Sequence, residues 1–178
     1  MGFAKPARII AVAFMALWLP ACASLPEEGF TMVPRAEAPA FDPIAFFAGR
    51  TMGTGKLDKG VLGTVPVRVE SVGLVEADGR LVLTQDIYEG EKEVRTRIMT
   101  AQAKGQGVYD ARLSDVFGPV RIWTRGNMMT VRYTMDGNYD VTQTVTLAPG
   151  GQRATNATRI ELLGATVAVL SEEIVRAD

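Results

Sequence analysis

The chain has 178 residues and a formal net charge of −1, with 47% hydrophobic and 22% charged residues, enough for one domain with a sizeable core and too apolar for a disordered chain. No basic surplus is present to neutralise phosphates, so nucleic acid is not an expected partner. The lack of any histidine excludes Ser-His-Asp and Cys-His catalysis and His-ligated metals, and a single cysteine cannot form an internal disulfide.

Lys5 and Arg8 precede an apolar run from Ile9 to Leu19, which is too short to span a bilayer and fits the h-region of a signal peptide. The run ends in Leu19-Pro20-Ala21-Cys22, which resembles the bacterial lipobox, where a small residue precedes a cysteine whose thiol receives a diacylglyceryl group. That resemblance implies a signal peptide over residues 1–21, acylation of Cys22 and a firm anchor in a lipid bilayer, since several acyl chains hold far better than one. An ordinary signal peptide ending Ala-x-Ala is the alternative, but the sole cysteine of the chain falls at this position. Ala23 in place of Asp points, by resemblance to sorted lipoproteins, to the periplasmic face of the outer membrane. The stretch 22–40, with Pro26, Pro34, Pro39 and the solvated pair Glu27-Glu28, reads as a lipidated cysteine followed by a flexible linker.

The folded domain, 41–178, opens on a short helix. Asp42 is a good N-cap, Pro43 suits the first helical position, and Phe41 and Phe46 have the spacing of a hydrophobic staple. Gly49 can end the turn in a left-handed conformation, and Ile44, Phe46 and Phe47 then form an apolar plug for one end of the domain. Strand patterns follow at Thr51 to Leu57, Val65 to Val69, Leu81 to Tyr88, Val94 to Ala101 and Val108 to Ser114. They continue at Val120 to Thr124, Met128 to Met135, Val141 to Leu147, Arg153 to Leu162 and Ala165 to Val175. Turn signals such as Asp78-Gly79, Gly126-Asn127 and Pro149-Gly150-Gly151 separate them. About 8–10 short strands without an intervening helical period exclude βαβ units and favour an all-β antiparallel up-and-down meander. A meander of this length normally closes on itself, because closure removes its edges. The last segment tolerates a helical pattern too, though Thr166, Val167 and Val169 favour strand. Arg95, Arg97, Arg121 and Arg125 interrupt any lipid-facing band, so a membrane-spanning barrel is not expected.

Several landmarks carry a family resemblance. They are Phe46-Phe47-x-Gly49, Leu83 with Asp86, Tyr88 and Gly90, Tyr109-x-Ala111, Asp115-Val116-x-Gly118, Gly126-Asn127 with Arg132-Tyr133-Thr134, and Asn156 with Gly164. Over most of Phe41 to Val175 the chain resembles a family of uncharacterised proteobacterial lipoproteins with a lipocalin-like (calycin) barrel. It departs from that family at Val131, at Gln143 to Val145 and at Leu162, so the resemblance implies no shared polar site. It implies instead a lipocalin-like barrel, an envelope location and, from lipocalin-like barrels in general, an apolar guest.

The candidate chemistry is sparse. Asp86, Glu89, Glu91 and Glu93 cluster at one hairpin, but their spacing matches no cation loop and Lys92 and Arg95 are interleaved, so no metal or cofactor is expected. Asp110, Arg112, Arg121 and Arg132 lie on neighbouring strands and suggest an ion-pair ladder. Met99, Met129, Met135, Trp123 and Tyr133 give the middle strands a soft, polarisable character suited to an irregular apolar guest, and they form the candidate pocket. A filled barrel in which the methionines close gaps is the alternative. Three function classes follow: a membrane-anchored binding module for a lipid or other apolar small molecule, a non-enzymatic envelope interaction protein with a filled barrel, and an enzyme. The last is disfavoured, since Ser71, Ser114 and Ser171 have no lysine in a recognisable motif.

Overall fold

The computed structural model describes residues 31–177. The expected signal segment and Cys22 lie outside the described residues, as does the linker up to residue 30. The helix α1 spans Pro43–Phe47, and the Asp42 carboxylate accepts from the backbone N–H groups of Ile44 (3.0 Å) and Ala45 (3.2 Å). Phe41 and Phe46 meet as a staple with ring centroids 5.5 Å apart, and Phe47 stands edge-on to Phe46 at 4.9 Å. The last carbonyls of so short a helix would be orphaned, but those of Ala45 and Phe46 accept from the Arg176 guanidinium at 2.7 and 2.6 Å.

Ten strands follow: β1 Gly49–Asp58, β2 Thr64–Val75, β3 Leu81–Glu89, β4 Arg95–Gly105, β5 Val108–Leu113, β6 Val120–Arg125, β7 Met128–Met135, β8 Tyr139–Leu147, β9 Arg153–Leu162 and β10 Ala165–Ala177. Each pairs antiparallel with its neighbours in sequence, and β1 pairs with β10 from Arg50↔Ala177 to Asp58↔Val169, which closes the barrel. The architecture is therefore the all-β up-and-down barrel with one short helix that the turn spacing implies, and its last segment is strand.

One strand is longer than its sequence pattern. The Val65–Val69 alternation ends at Glu70, yet β2 runs on to Val75 and pairs with β3 as far as Val75↔Leu81. Ser71 and Gly73 break the apolar rhythm there for a packing reason. The Phe47 carbonyl lies against Gly73 so closely that a Cβ at this position would overlap it. Glycine here lets the helix seat on the barrel.

The core is concentrated at the helix end, where Phe41, Phe46 and Phe47 pack with Leu81, Leu83, Ile122, Met129, Val145 and Leu147. The chain also arrives at this end. Asn127, in the β6–β7 turn, is buried. Its Oδ1 accepts from the Ala36 N–H (2.7 Å), while its Nδ2 donates to the carbonyls of Pro34 (3.1 Å) and Leu147 (3.0 Å). The Val33 N–H donates to Thr155 Oγ1 at 3.1 Å. The part of the expected linker from Val33 to Ala36 is thus fastened to the barrel rather than free. The plug carries the closed end, so Phe47→Ala should destabilise the domain by roughly 3–5 kcal/mol in urea unfolding. A change below about 1 kcal/mol would mean that the aromatic cluster does not support the barrel.

Candidate ligand-binding site

Between the aromatic plug and the opposite, open end, the barrel encloses a cavity of about 390 Å³, within the size range of small-molecule sites. Its apolar wall includes Val69, Ile87, Met99, Met135, Ile160 and Leu170, with Phe47 reaching in from the plug. Alternation along each strand puts these side chains inside and leaves residues such as Arg121 and Arg132 outside.

A polar row crosses this apolar interior. Thr51 of β1, Ser71 of β2, Gln85 of β3 and Arg97 of β4 all line the cavity and are successive register partners across four strands. Gln85 Nε2 donates to Ser71 Oγ at 3.4 Å, whereas the buried Thr51 Oγ1 has no partner among the described residues. On the neighbouring wall Glu172 is 4% exposed and accepts from Asn156 Nδ2 at 2.8 Å, and Thr158 donates to Asn156 Oδ1 at 3.2 Å. The Glu172 carboxyl lies over Gly53, where a Cβ would overlap it, so this glycine makes room for a buried acid.

The mouth is ionic. Arg97 donates from Nε to Asp115 Oδ2 (3.0 Å) and from a terminal nitrogen to the Tyr133 hydroxyl (3.5 Å), while Arg95 pairs with the same Asp115 oxygen. Glu89 receives both Lys59 and Lys92. Burial at the rim works to raise the Glu89 pKa, but hydrogen bonds and charge from the two lysines outweigh it and hold the carboxyl below its usual range. Of the hairpin acids, Glu89 is taken up in ion pairs and Asp86 accepts from Thr96 Oγ1 at 2.6 Å, and no group of three or more metal-ligating residues occurs among the described residues. The strand ladder expected around Asp110 forms differently, since Asp110 faces Lys104 at 3.8 Å and Arg132 lies over the Trp123 ring at 5.5 Å.

Of the five residues read as a pocket, Met99, Tyr133 and Met135 line the cavity. Met129 is buried among the closed-end core residues and does not line it. Trp123 is on the outer surface, a correction with a simple cause. Val120 and Ile122 take the inward phase of β6, so Trp123 must face out. The polar residues of the site, Glu172, Asn156 and Arg97, were not among the expected pocket residues. Their signal was polarity in phase with apolar neighbours, as in Leu170-x-Glu172-x-Ile174 and Ala154-x-Asn156.

Burial pushes the Glu172 carboxyl up from 4.5 to about 7, against the hydrogen bond from Asn156. Between those values the folded chain holds a proton that the unfolded chain has released, so stability falls as pH rises through this window and levels off above it. The loss from pH 5 to pH 8 should be roughly 2–3 kcal/mol. Urea unfolding of wild type and Glu172→Gln checks this, because the variant lacks the proton and should become the relatively more stable chain by that amount at pH 8. Parallel pH responses would show that Glu172 does not titrate in a buried site.

No curated protein matches the chain. Among solved structures it is similar to an S-type phycobiliprotein lyase from Guillardia theta, with a TM-score of 0.62 and 9% identity over 76% of this chain and 90% of that one. It is also similar to a protein of unknown function from the DUF3598 family of Nostoc punctiforme, with a TM-score of 0.62 and 16% identity over 78% of this chain and 50% of that one. The chain therefore spans half the length of the second protein. At these identities the likeness shows the fold alone, which is a lipocalin-like barrel. Residues 16–148, well over half of the sequence, match the family described as a protein of unknown function (DUF3833), and the chain belongs to that family.

Proposed function

We propose that this protein is a lipid-anchored binding module of the bacterial envelope whose barrel holds an amphipathic small molecule, most simply a lipid with an anionic end. The observation that supports the reading best is the cavity itself, an unfilled lumen with an apolar wall and a polar row ending at Arg97. Apolar area supplies the affinity of such a site, and the few polar groups set the orientation of the guest. Arg97 stands at the mouth with Tyr133 beside it, where a carboxylate or phosphate would complete the charge left over when Arg95 and Arg97 share one Asp115. The apolar part of the guest would then lie against Met99, Ile87 and Val69. The role is that of a carrier, with no chemical step on the guest. Anchoring through Cys22, at the periplasmic face of the outer membrane, would keep it beside a source of lipid.

Titration of the delipidated chain lacking its first 22 residues with a fluorescent fatty acid tests the reading. Binding should be saturable, should vanish in Ile160→Trp, which fills the cavity, and should weaken about tenfold in Arg97→Gln. The methyl ester of the same probe should not distinguish Arg97→Gln from wild type. If neither fatty-acid nor lysophospholipid probes bind below about 100 μM, the binding reading fails. Intact-mass analysis of membrane-extracted protein tests the anchor separately. It should show loss of residues 1–21 plus acyl mass on Cys22, and a free Cys22 thiol in native material would sink that part of the proposal.

A further inference from the structure

The two ends of the barrel are built from connections of opposite character. At the closed end the chain turns through Ala77-Asp78-Gly79, Gln106-Gly107, Gly126-Asn127 and Pro149-Gly150-Gly151, and none of these presents a large apolar side chain. At the open end the β1–β2 connection carries Val61 and Leu62, the β5–β6 connection Phe117 and the β9–β10 turn Leu163. They are exposed by 87%, 81%, 96% and 94%, the four highest values for large apolar side chains among the described residues. The other two hairpins of this rim are polar, with Glu91-Lys92-Glu93 before a half-exposed Val94 in one and Asp136-Gly137-Asn138 in the other. Around the closed ring the β9–β10 and β1–β2 tips are neighbours, because β10 pairs with β1, and Phe117 stands apart from both, with one polar hairpin on each side of it.

Leu163 adds an independent observation. It has φ +51 and is followed by Gly164 at +80, so a leucine holds a left-handed turn position that favours Gly, Asn or Asp. Fully exposed, it gains no packing within the chain in return for that disfavoured backbone. Unfavourable conformation without an internal contact is a mark of a position kept for an external one.

We propose that the open rim docks on the surface of a lipid bilayer, with Leu62, Phe117 and Leu163 inserted among the headgroups and the cavity mouth facing the membrane. Protein partners of stable complexes need continuous complementary surface, about 800 Å² on each side, and two apolar groups held apart by polar hairpins, Leu163 with Val61 and Leu62 in one and Phe117 in the other, do not supply it. A bilayer interface deforms around each tip separately and takes single apolar side chains to a depth of about 5–10 Å. The rim also carries the exposed acids Glu91, Glu93 and Asp136, so its apolar tips and not net charge supply the attraction, while Lys92 and Arg95, with side chains 64% and 51% exposed, can still reach lipid phosphates. A guest passing between barrel and membrane by this route would never cross bulk water. Docking goes beyond the binding reading and does not need it, because insertion of the tips is measured without any guest.

The test uses the full chain with Cys22→Ser and a single new cysteine at Phe117→Cys, at Leu163→Cys or, as the closed-end control, at Gln106→Cys. Each is labelled with an environment-sensitive fluorophore and mixed with phosphatidylethanolamine–phosphatidylglycerol vesicles containing brominated lipids. Emission should shift to the blue and be quenched at 117 and 163, with no response at 106. A label at Val61→Cys should behave like the other tips, and its response should fall at least tenfold when Leu62, Phe117 and Leu163 are all replaced by Ser. All these positions are exposed, so an unchanged unfolding midpoint will confirm that the variants fold. Vesicle binding with silent rim labels would place the contact in the first 30 residues and overturn the proposal, as would an equal response at all sites or no binding at all. A blue shift that appears without vesicles, on raising the protein concentration or on adding a membrane-free envelope extract, would identify a protein contact and overturn it too.

Discussion

About eight strands is the size at which side chains projecting from a barrel wall meet in the middle, so a closed ring of ten encloses more space than its own inward residues fill. The chain treats that surplus differently in its two halves. In one half it brings in Phe41, Phe46 and Phe47 from a short capped helix, seats them through Gly73 and holds the helix end with Arg176. In the other half nothing comparable is inserted, and the space is left to a row of polar groups among apolar ones. Apart from Thr51, whose hydroxyl has no partner among the described residues, those groups are tolerable in a lumen because they are arranged as partners. Glu172 takes a hydrogen bond from Asn156, Gln85 reaches Ser71, and Arg97 shares Asp115 and Tyr133. The site is thus a consequence of strand number, and its chemistry is a consequence of which inward positions are not apolar.

Much of this was legible in the sequence, and the parts that were not share a cause. Turn residues and capping chemistry are local, so Asp42-Pro43, Asp78-Gly79 and Gly126-Asn127 announce the helix and the hairpins without help from tertiary structure. The face that a residue occupies is not local in the same sense. Trp123 looks like a guest-binding aromatic until Ile122 beside it is seen to own the interior phase. Glu172-Glu173 reads as an ordinary charged pair, although one member lies deep inside and the other pairs with Arg153 outside at 3.1 Å. The long β2 was hidden by Gly73, whose missing side chain is explained only by the carbonyl of Phe47, 26 positions earlier in the chain. Period-2 reasoning fails where a strand's inward position is filled by something other than its own side chain.

The barrel also has a direction. Asn127 clasps the arriving segment beside the plug, so the N-terminal part of the described chain reaches the body at the closed pole. The mouth, with its ion pairs and apolar tips, is at the other pole. An extended chain from Cys22 to Val33 covers at most about 40 Å. That reach is longer than the barrel is tall, about 25 Å for ten-residue strands tilted as barrel strands are. A lipid anchor at Cys22, as proposed above, would therefore be compatible with the proposed turning of the mouth towards the same bilayer.

Closure through β1 and β10 bears on how the chain acquires this form. Nine of the ten strand pairings join neighbours in sequence, and each can zip from its own turn. The tenth must bring Arg50 to Ala177, and the entropy of closing so long a loop makes it the late and slow event of folding. At that seam Gly53 and Gly55 of β1 face Ile174 and Glu172 of β10, and the Glu172 carboxyl, over Gly53 of the opposite strand, occupies the space that a side chain there would take. The carboxyl that is costliest to bury is therefore placed at the one pairing that no local turn can form.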